Sequence, residues 1–159
     1  MKVERKYLAH FIDAGMPGEY DEVYERLGKD LEEFSVSLSA QVETKKNILG
    51  ESSVLISSYE KTAAVEPYYA EIGSPLFTRL QGIIDQGLVL DDLRTTVVEV
   101  KLWDAQQDNV YPAIREEAFI EVTSYGGDTN GYQIPFTIHY TGNKTSGTFD
   151  LNTRSFTEA

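Results

Sequence analysis

The sequence predicts a mainly β protein, a sandwich or barrel of strands closed by one packed α-helix, with extended loops or arms. Three observations predict it. Hydrophobic residues recur with a period of two along most of the chain, the period of a strand with one buried face. One stretch, over 74–86, switches to helical spacing. The 159 residues are the length of one domain, and 41% hydrophobic content is that of an ordinary globular chain.

In chain order, residues 6–13 read as an opening strand. Residues 33–44 alternate over a long run, with Phe34, Val36, Leu38, Ala40 and Val42 on one side. Ser35, Ser37, Ser39, Gln41 and Glu43 form the other side, which suits an antiparallel sheet with one wet face. A second extended stretch covers 51–66. Within 20–27, Tyr20, Val23, Tyr24 and Leu27 are spaced for a short helix; a loop is the competing reading, because Gly15-Met16-Pro17-Gly18 precedes it. The clear helix has Ser74 as N-cap, Pro75 at its first position and Gly87 as its stop, with Leu76, Phe77, Leu80, Ile83 and Ile84 as its apolar stripe. Strands follow over 95–104 and 114–124. Residues 126–131 read as a loop ending in Asn130-Gly131. Residues 132–141 and 146–156 then read as a hairpin about a turn at Thr141-Gly142-Asn143-Lys144. Pro135 has no N–H and marks an edge or a bulge. All of 1–159 reads as one domain, with flexible segments expected over about 14–30 and about 44–51.

Charge and composition exclude several functions. Lys and Arg number 14 and Asp and Glu 26, so the net charge is 14 − 26 = −12. Such a chain has no cation excess with which to grip phosphates or an anionic membrane. With no cysteine there are no disulfides, thiolate nucleophiles or Cys-ligated zinc. No apolar run reaches membrane-spanning length, and no signal peptide is visible at the start. Asn143-Lys144-Thr145 matches a glycosylation sequon, which chance explains.

Candidate chemistry is sparse. His10 and His139 lie on expected strands without HxH or HExxH spacing, and read as strand-face residues rather than metal ligands. Glu32-Glu33 and Glu116-Glu117 are carboxylate doublets, but neighbours on a strand point to opposite faces and cannot flank one cleft. Asp128-Thr129-Asn130-Gly131 resembles the start of a calcium loop, yet His139 stands where the closing Glu belongs, so a turn is the better reading. No GxGxxG, GK[ST] or GxSxG occurs. Ten tyrosines suggest stacking on sugars or bases, but half-buried strand positions account for them. The expectation is a binding or structural protein with no catalytic residues, metal or cofactor. The uncharged face of Ser35, Ser37 and Ser39 fits a strand edge continued by a neighbouring subunit.

Several blocks carry a family resemblance. Lys2-Val3-Glu4-Arg5-Lys6-Tyr7-Leu8-Ala9-His10 opens the chain. Arg26-Leu27-Gly28-Lys29-Asp30-Leu31-Glu32-Glu33 leads into Val42-Glu43-Thr44-Lys45-Lys46-Asn47-Ile48-Leu49-Gly50-Glu51. Ser124-Tyr125-Gly126-Gly127-Asp128-Thr129-Asn130-Gly131 is followed by Ile134-Pro135-Phe136 and Gly147-Thr148-Phe149-Asp150. In their order, and running nearly end to end, these blocks resemble the tail tube proteins (major tail proteins) of long-tailed, non-contractile bacteriophages.

The resemblance implies a structural virion protein of β-sandwich type, made in the host bacterial cytoplasm and located in the virion tail. It implies hexameric rings of the chain itself, stacked into a hollow tube whose inner wall is a barrel of strands from all six subunits. The tape measure protein and other tail proteins are the implied partners, and DNA passes through without specific binding. By analogy, the strand over 34–44 and its partner over 51–66 are candidates for the inner wall, and 44–50 for joining rings. The Tyr20 region and both terminal segments are further ring-joining candidates. Glu43, Glu51 and Glu60 are the candidate lumen-lining residues, because acidic and polar groups repel phosphates at short range and let DNA slide. Ser35, Ser37, Ser39, Lys45 and Lys46 are the candidate subunit contacts; six copies bring 6 × −12, about −72 per ring before screening, which cations must help to offset. The alternatives are a tube protein of a contractile injection or secretion system, a monomeric β-sandwich module for a sugar or receptor, and, last, an acidic hydrolase.

Overall fold

The period-two segments build a strongly curled antiparallel sheet, a half-barrel with one helix packed against it. The computed structural model describes residues 1–15 and 22–159. After a 3-10 turn at Arg5–Tyr7 come β1 (Leu8–Asp13), β2 (Tyr24–Leu27), β3 (Val36–Ser37), β4 (Ala40–Lys46), β5 (Ser52–Tyr59) and β6 (Thr62–Val65). Helix α1 (Pro75–Gln86) precedes β7 (Arg94–Lys101), β8 (Val110–Val122), β9 (Gly126–Asp128), β10 (Gly131–Gln133), β11 (Phe136–Asp150) and β12 (Ser155–Glu158). The main sheet runs β2-β1-β7-β8-β11-β6-β3, with β12 also paired to β11. Two small sheets, β9 with β10 and β4 with β5, stand apart from it.

The curl is measurable. Phe11 on β1 and Phe149 on β11 are three strands apart in the sheet, yet their rings lie 4.5 Å apart. A flat sheet would separate them by about 14 Å. Around this pair the inner face closes on Ala9, Tyr24, Val98, Val100 and Ala113. The opposite face carries the larger core, where Ile12, Val97, Ile120, Phe136 and Ile138 pack under Leu76, Leu80 and Ile83 of α1. Both faces of the sheet are therefore buried over much of its area, and alternate residues along a strand feed two different cores.

The helix forms where expected, and its ends show why. Ser74 Oγ accepts the Phe77 N–H, Pro75 occupies the first turn, and Gly87 closes the helix at φ 60°, ψ 42°. From β2, Glu25 adds its carboxylate to the helix N-terminus: it accepts the Leu76 N–H at 3.0 Å and the Ser74 hydroxyl at 2.7 Å. No helix among the described residues is long and apolar enough to cross a membrane.

Three expectations need correction. The helical alternative for 20–27 fails from Tyr24 on, which is strand β2; residues 16–21 lie outside the described residues. Tyr24 and Leu27 are both buried, but in different cores. In a strand buried on both faces, a spacing of three mimics a helix. The hairpin expected about 141–144 is instead one strand, β11, with a bulge: the register moves from Tyr140 opposite Ala118 to Lys144 opposite Glu116. Gly142, at φ 93°, donates its N–H to the Glu116 carboxylate at 3.0 Å, and the chain reverses only between β11 and β12.

The long strand over 33–44 is also broken. It forms β3, kinks at Ser39 with φ 40°, and resumes as β4. Its partner stretch breaks at Glu60-Lys61, so the two form one bent hairpin with its foot in the main sheet and its outer part free. Residues 44–51 form the end of β4 and a tight turn into β5. Asn47 and Glu51 pair through their backbones, and Asn47 Oδ1 accepts the N–H groups of Leu49 and Glu51. Within 14–30, Tyr24–Leu27 is strand β2.

Candidate assembly surface

The eight residues singled out for the wall and for subunit contacts fall on this one hairpin. Ser35 precedes β3, Ser37 lies in it and Ser39 occupies the kink, with the Ser37 and Ser39 hydroxyls 3.1 Å apart. Glu43, Lys45 and Lys46 are on β4, and Lys45 Nζ stands 3.6 Å from the Glu43 carboxylate. Glu51 closes the terminal turn, and Glu60 carries the ladder across the kink by donating its N–H to Ser39 O at 3.3 Å. All eight are exposed.

The outer part of the hairpin is amphipathic, and nothing among the described residues covers it. Every residue of β4 and β5 is exposed. The register places Val42 opposite Ile56, Thr44 opposite Val54 and Ala40 opposite Tyr59, which makes one face mostly apolar as far as the Lys46–Ser52 pair beside the turn. Gln41 opposite Ser58, Glu43 opposite Leu55 and Lys45 opposite Ser53 make the other face mostly polar. The terminal turn adds Ile48 and Leu49, 103% and 76% exposed. The expected alternation therefore holds in chemistry but not in burial: Phe34 reaches the core, whereas Leu38 beside the kink and Val42 beyond it do not.

Charge sets this arm apart from the rest of the molecule. Residues 40–59 hold Glu43 and Glu51 against Lys45 and Lys46, a net of zero in a chain of −12. An isolated two-stranded hairpin is marginal in water, and both edges of this one have unpaired backbone groups. Large exposed apolar patches and free strand edges of this kind are features found at protein–protein contacts. The sequence signal for this face is the aliphatic run Val54-Leu55-Ile56 with the pair Ile48-Leu49, which stand between the Ser and Glu positions singled out above.

The remaining polar residues are built into the fold. His10 and His139 are on opposite faces: His10 is buried with Nε2 3.3 Å from Glu99, while His139 pairs with Glu121 at 2.7 Å at the surface. The hydrogen bond from His10 holds the Glu99 carboxyl below the ordinary carboxylate range. The Glu116-Glu117 doublet splits between the faces: Glu116 pairs with Lys61 at 2.6 Å and Glu117 lies 3.9 Å from Arg94. Glu32 and Glu33 are exposed and outside any strand. Asp128-Thr129-Asn130-Gly131 turns β9 into β10, with Asp128 Oδ1 accepting the Asn130 N–H. No group of three or more metal-ligating side chains gathers among the described residues.

Neither a protein-family model nor a curated protein matches the chain.

Proposed function

We propose that this protein is a structural subunit that assembles with copies of itself, in the manner of a phage tail tube. The observation that carries the reading is the neutral, apolar arm formed by β4 and β5. Copies with a charge of −12 repel one another, and the arm is a surface through which they can meet without adding to that repulsion. Its apolar face gains by leaving water and its free edges gain backbone partners, so association satisfies both at once. Hexameric rings, stacking and the passage of DNA come from the family resemblance of the sequence blocks.

In that assembly the apolar face is buried between subunits and the polar face is left toward the channel. Glu43 then lies on the channel side with Lys45 beside it, Glu51 at the arm's tip and Glu60 at its foot. Ser35, Ser37 and Ser39 occupy the foot, where the arm leaves the main sheet.

Sedimentation and electron microscopy over a range of protein concentrations test the reading. The wild type should form rings or tubes as concentration rises. Val42→Glu with Ile56→Glu should stay monomeric while its thermal midpoint is unchanged, since both side chains are exposed in the monomer. A wild type that remains monomeric throughout overturns the proposal; one that also binds a glycan belongs to the sugar-binding class.

A further inference from the structure

We propose that the turn at the tip of the arm docks in the groove between the first residues and the 26–34 segment of a second copy of this chain. This rests on the self-assembly reading and names the surface that receives the arm. The groove has a volume of about 500 Å³. Leu8, Leu27, Leu31 and Phe34 give it apolar walls, and Arg5 and Arg26 stand at its rim.

Three observations pair the tip with this groove. First, Ile48 and Leu49 form the most exposed aliphatic pair on the arm and are presented by a locked turn. The Asn47 side chain accepts two backbone N–H groups, at 2.9 and 3.0 Å, so docking has little turn entropy to overcome. Second, the charges match. Arg5, Lys6, Arg26 and Lys29 line the groove with Glu32; Lys6 and Lys29 are paired with Glu4 and Glu71 beside it, so Arg5 and Arg26 give it its positive charge on an acidic chain. Arg5 and Arg26 spend their hydrogen bonds on backbone carbonyls of Leu8, Phe34 and Lys6, and no carboxylate pairs with either among the described residues. Glu51 follows the apolar pair by two residues and supplies the tip with a carboxylate. A second copy of an acidic chain is thus drawn to this rim, whereas a basic partner is not.

Third, geometry makes the contact intermolecular. The seven residues of β4 give the arm a length of about 23 Å. Phe34 walls the groove at the foot of the same hairpin, so the tip stands an arm's length from its own groove. Each copy carries one tip and one groove on different surfaces. The contact can therefore pass head-to-tail from copy to copy, and a reciprocal exchange of tips that stops at a dimer is the outcome the test must separate from it.

The absence of cysteine gives a clean test. Leu31→Cys with Leu49→Cys, treated with a short bismaleimide, should give a ladder of dimers, trimers and larger species on a denaturing gel. Leu49→Cys alone should give no species beyond a dimer. Leu49→Asp should raise the concentration needed for assembly by on the order of tenfold or more and leave the thermal midpoint unchanged. If the wild type assembles but the double-cysteine variant gives no ladder and Leu49→Asp leaves assembly unchanged, the docking site is overturned while the self-assembly reading stays in place. A wild type that forms no assemblies overturns both.

Discussion

Arg79 shows how far a single side chain can tie this fold together. It lies on α1, 2% exposed, one position away from Leu80 in the helix's buried stripe. Its guanidinium donates to Asp13 O at 3.1 Å, Gly15 O at 2.9 Å and Arg94 O, joining the helix to the ends of β1 and β7. Burial lowers its pKa, but a guanidinium stays charged, so the carbonyls must supply what water would. Arg79→Ala should cost about 3 kcal/mol, read from urea unfolding midpoints, because three carbonyls lose a charged donor. The position was legible as helix and its partners were not, since backbone carbonyls from distant strands leave no mark in a local pattern. The same holds for Glu116, a buried carboxylate that pairs with Lys61 and anchors the bulge at Gly142. Glu99 carries a pH prediction. Its folded pKa is depressed, chiefly by the His10 hydrogen bond, so its contribution is present above the ordinary carboxylate pKa and is lost as pH falls through the depressed value. His10→Gln should therefore flatten the loss of stability between about pH 5 and 3, followed by denaturant midpoints across that range.

At the scale of elements, α1 was readable because its signals are local. Ser74, Pro75 and Gly87 act on their own backbone, and the stripe of Leu76, Leu80 and Ile83 needs only a period. Gly87 sits in the left-handed region with open space around it, so Gly87→Ala should cost about 1 kcal/mol through backbone strain alone. Thermal unfolding of that variant against Ser74→Ala, which should lose a similar amount, tests both ends of the helix. Strand boundaries were less legible. Thr141-Gly142-Asn143-Lys144 has the chemistry of a turn, and a bulge uses the same chemistry: a glycine at positive φ and short polar side chains. The 13-residue β8 decides between them by offering β11 a partner on both sides of the irregularity. The kink at Ser39 was hidden for a related reason. Alternation continues through it unchanged, and only the end of the main sheet determines that Val36 packs and Val42 does not.

For the whole molecule the ruling quantity is −12. It sets copies against one another over the screening length, which shrinks from about 30 Å at 0.01 M salt to about 3 Å at 1 M. Apolar burial by the arm does not weaken with salt in this way. Raising sodium chloride across that range should lower the concentration at which assemblies appear in light scattering. Weaker assembly at high salt would place ionic contacts, such as the basic groove rim, above apolar burial. The sequence by itself determined the β class, the one helix with both its ends, and the net charge of −12. Each of these is a local pattern or a sum, and needs no knowledge of what lies across space. Only the tertiary structure decided that the sheet curls until Phe11 meets Phe149, that both its faces are buried, and that the hairpin over 36–65 is half core and half arm. Burial is a property of neighbours brought together by the fold, so one alternating pattern serves equally for a strand in the core and for an arm exposed to solvent.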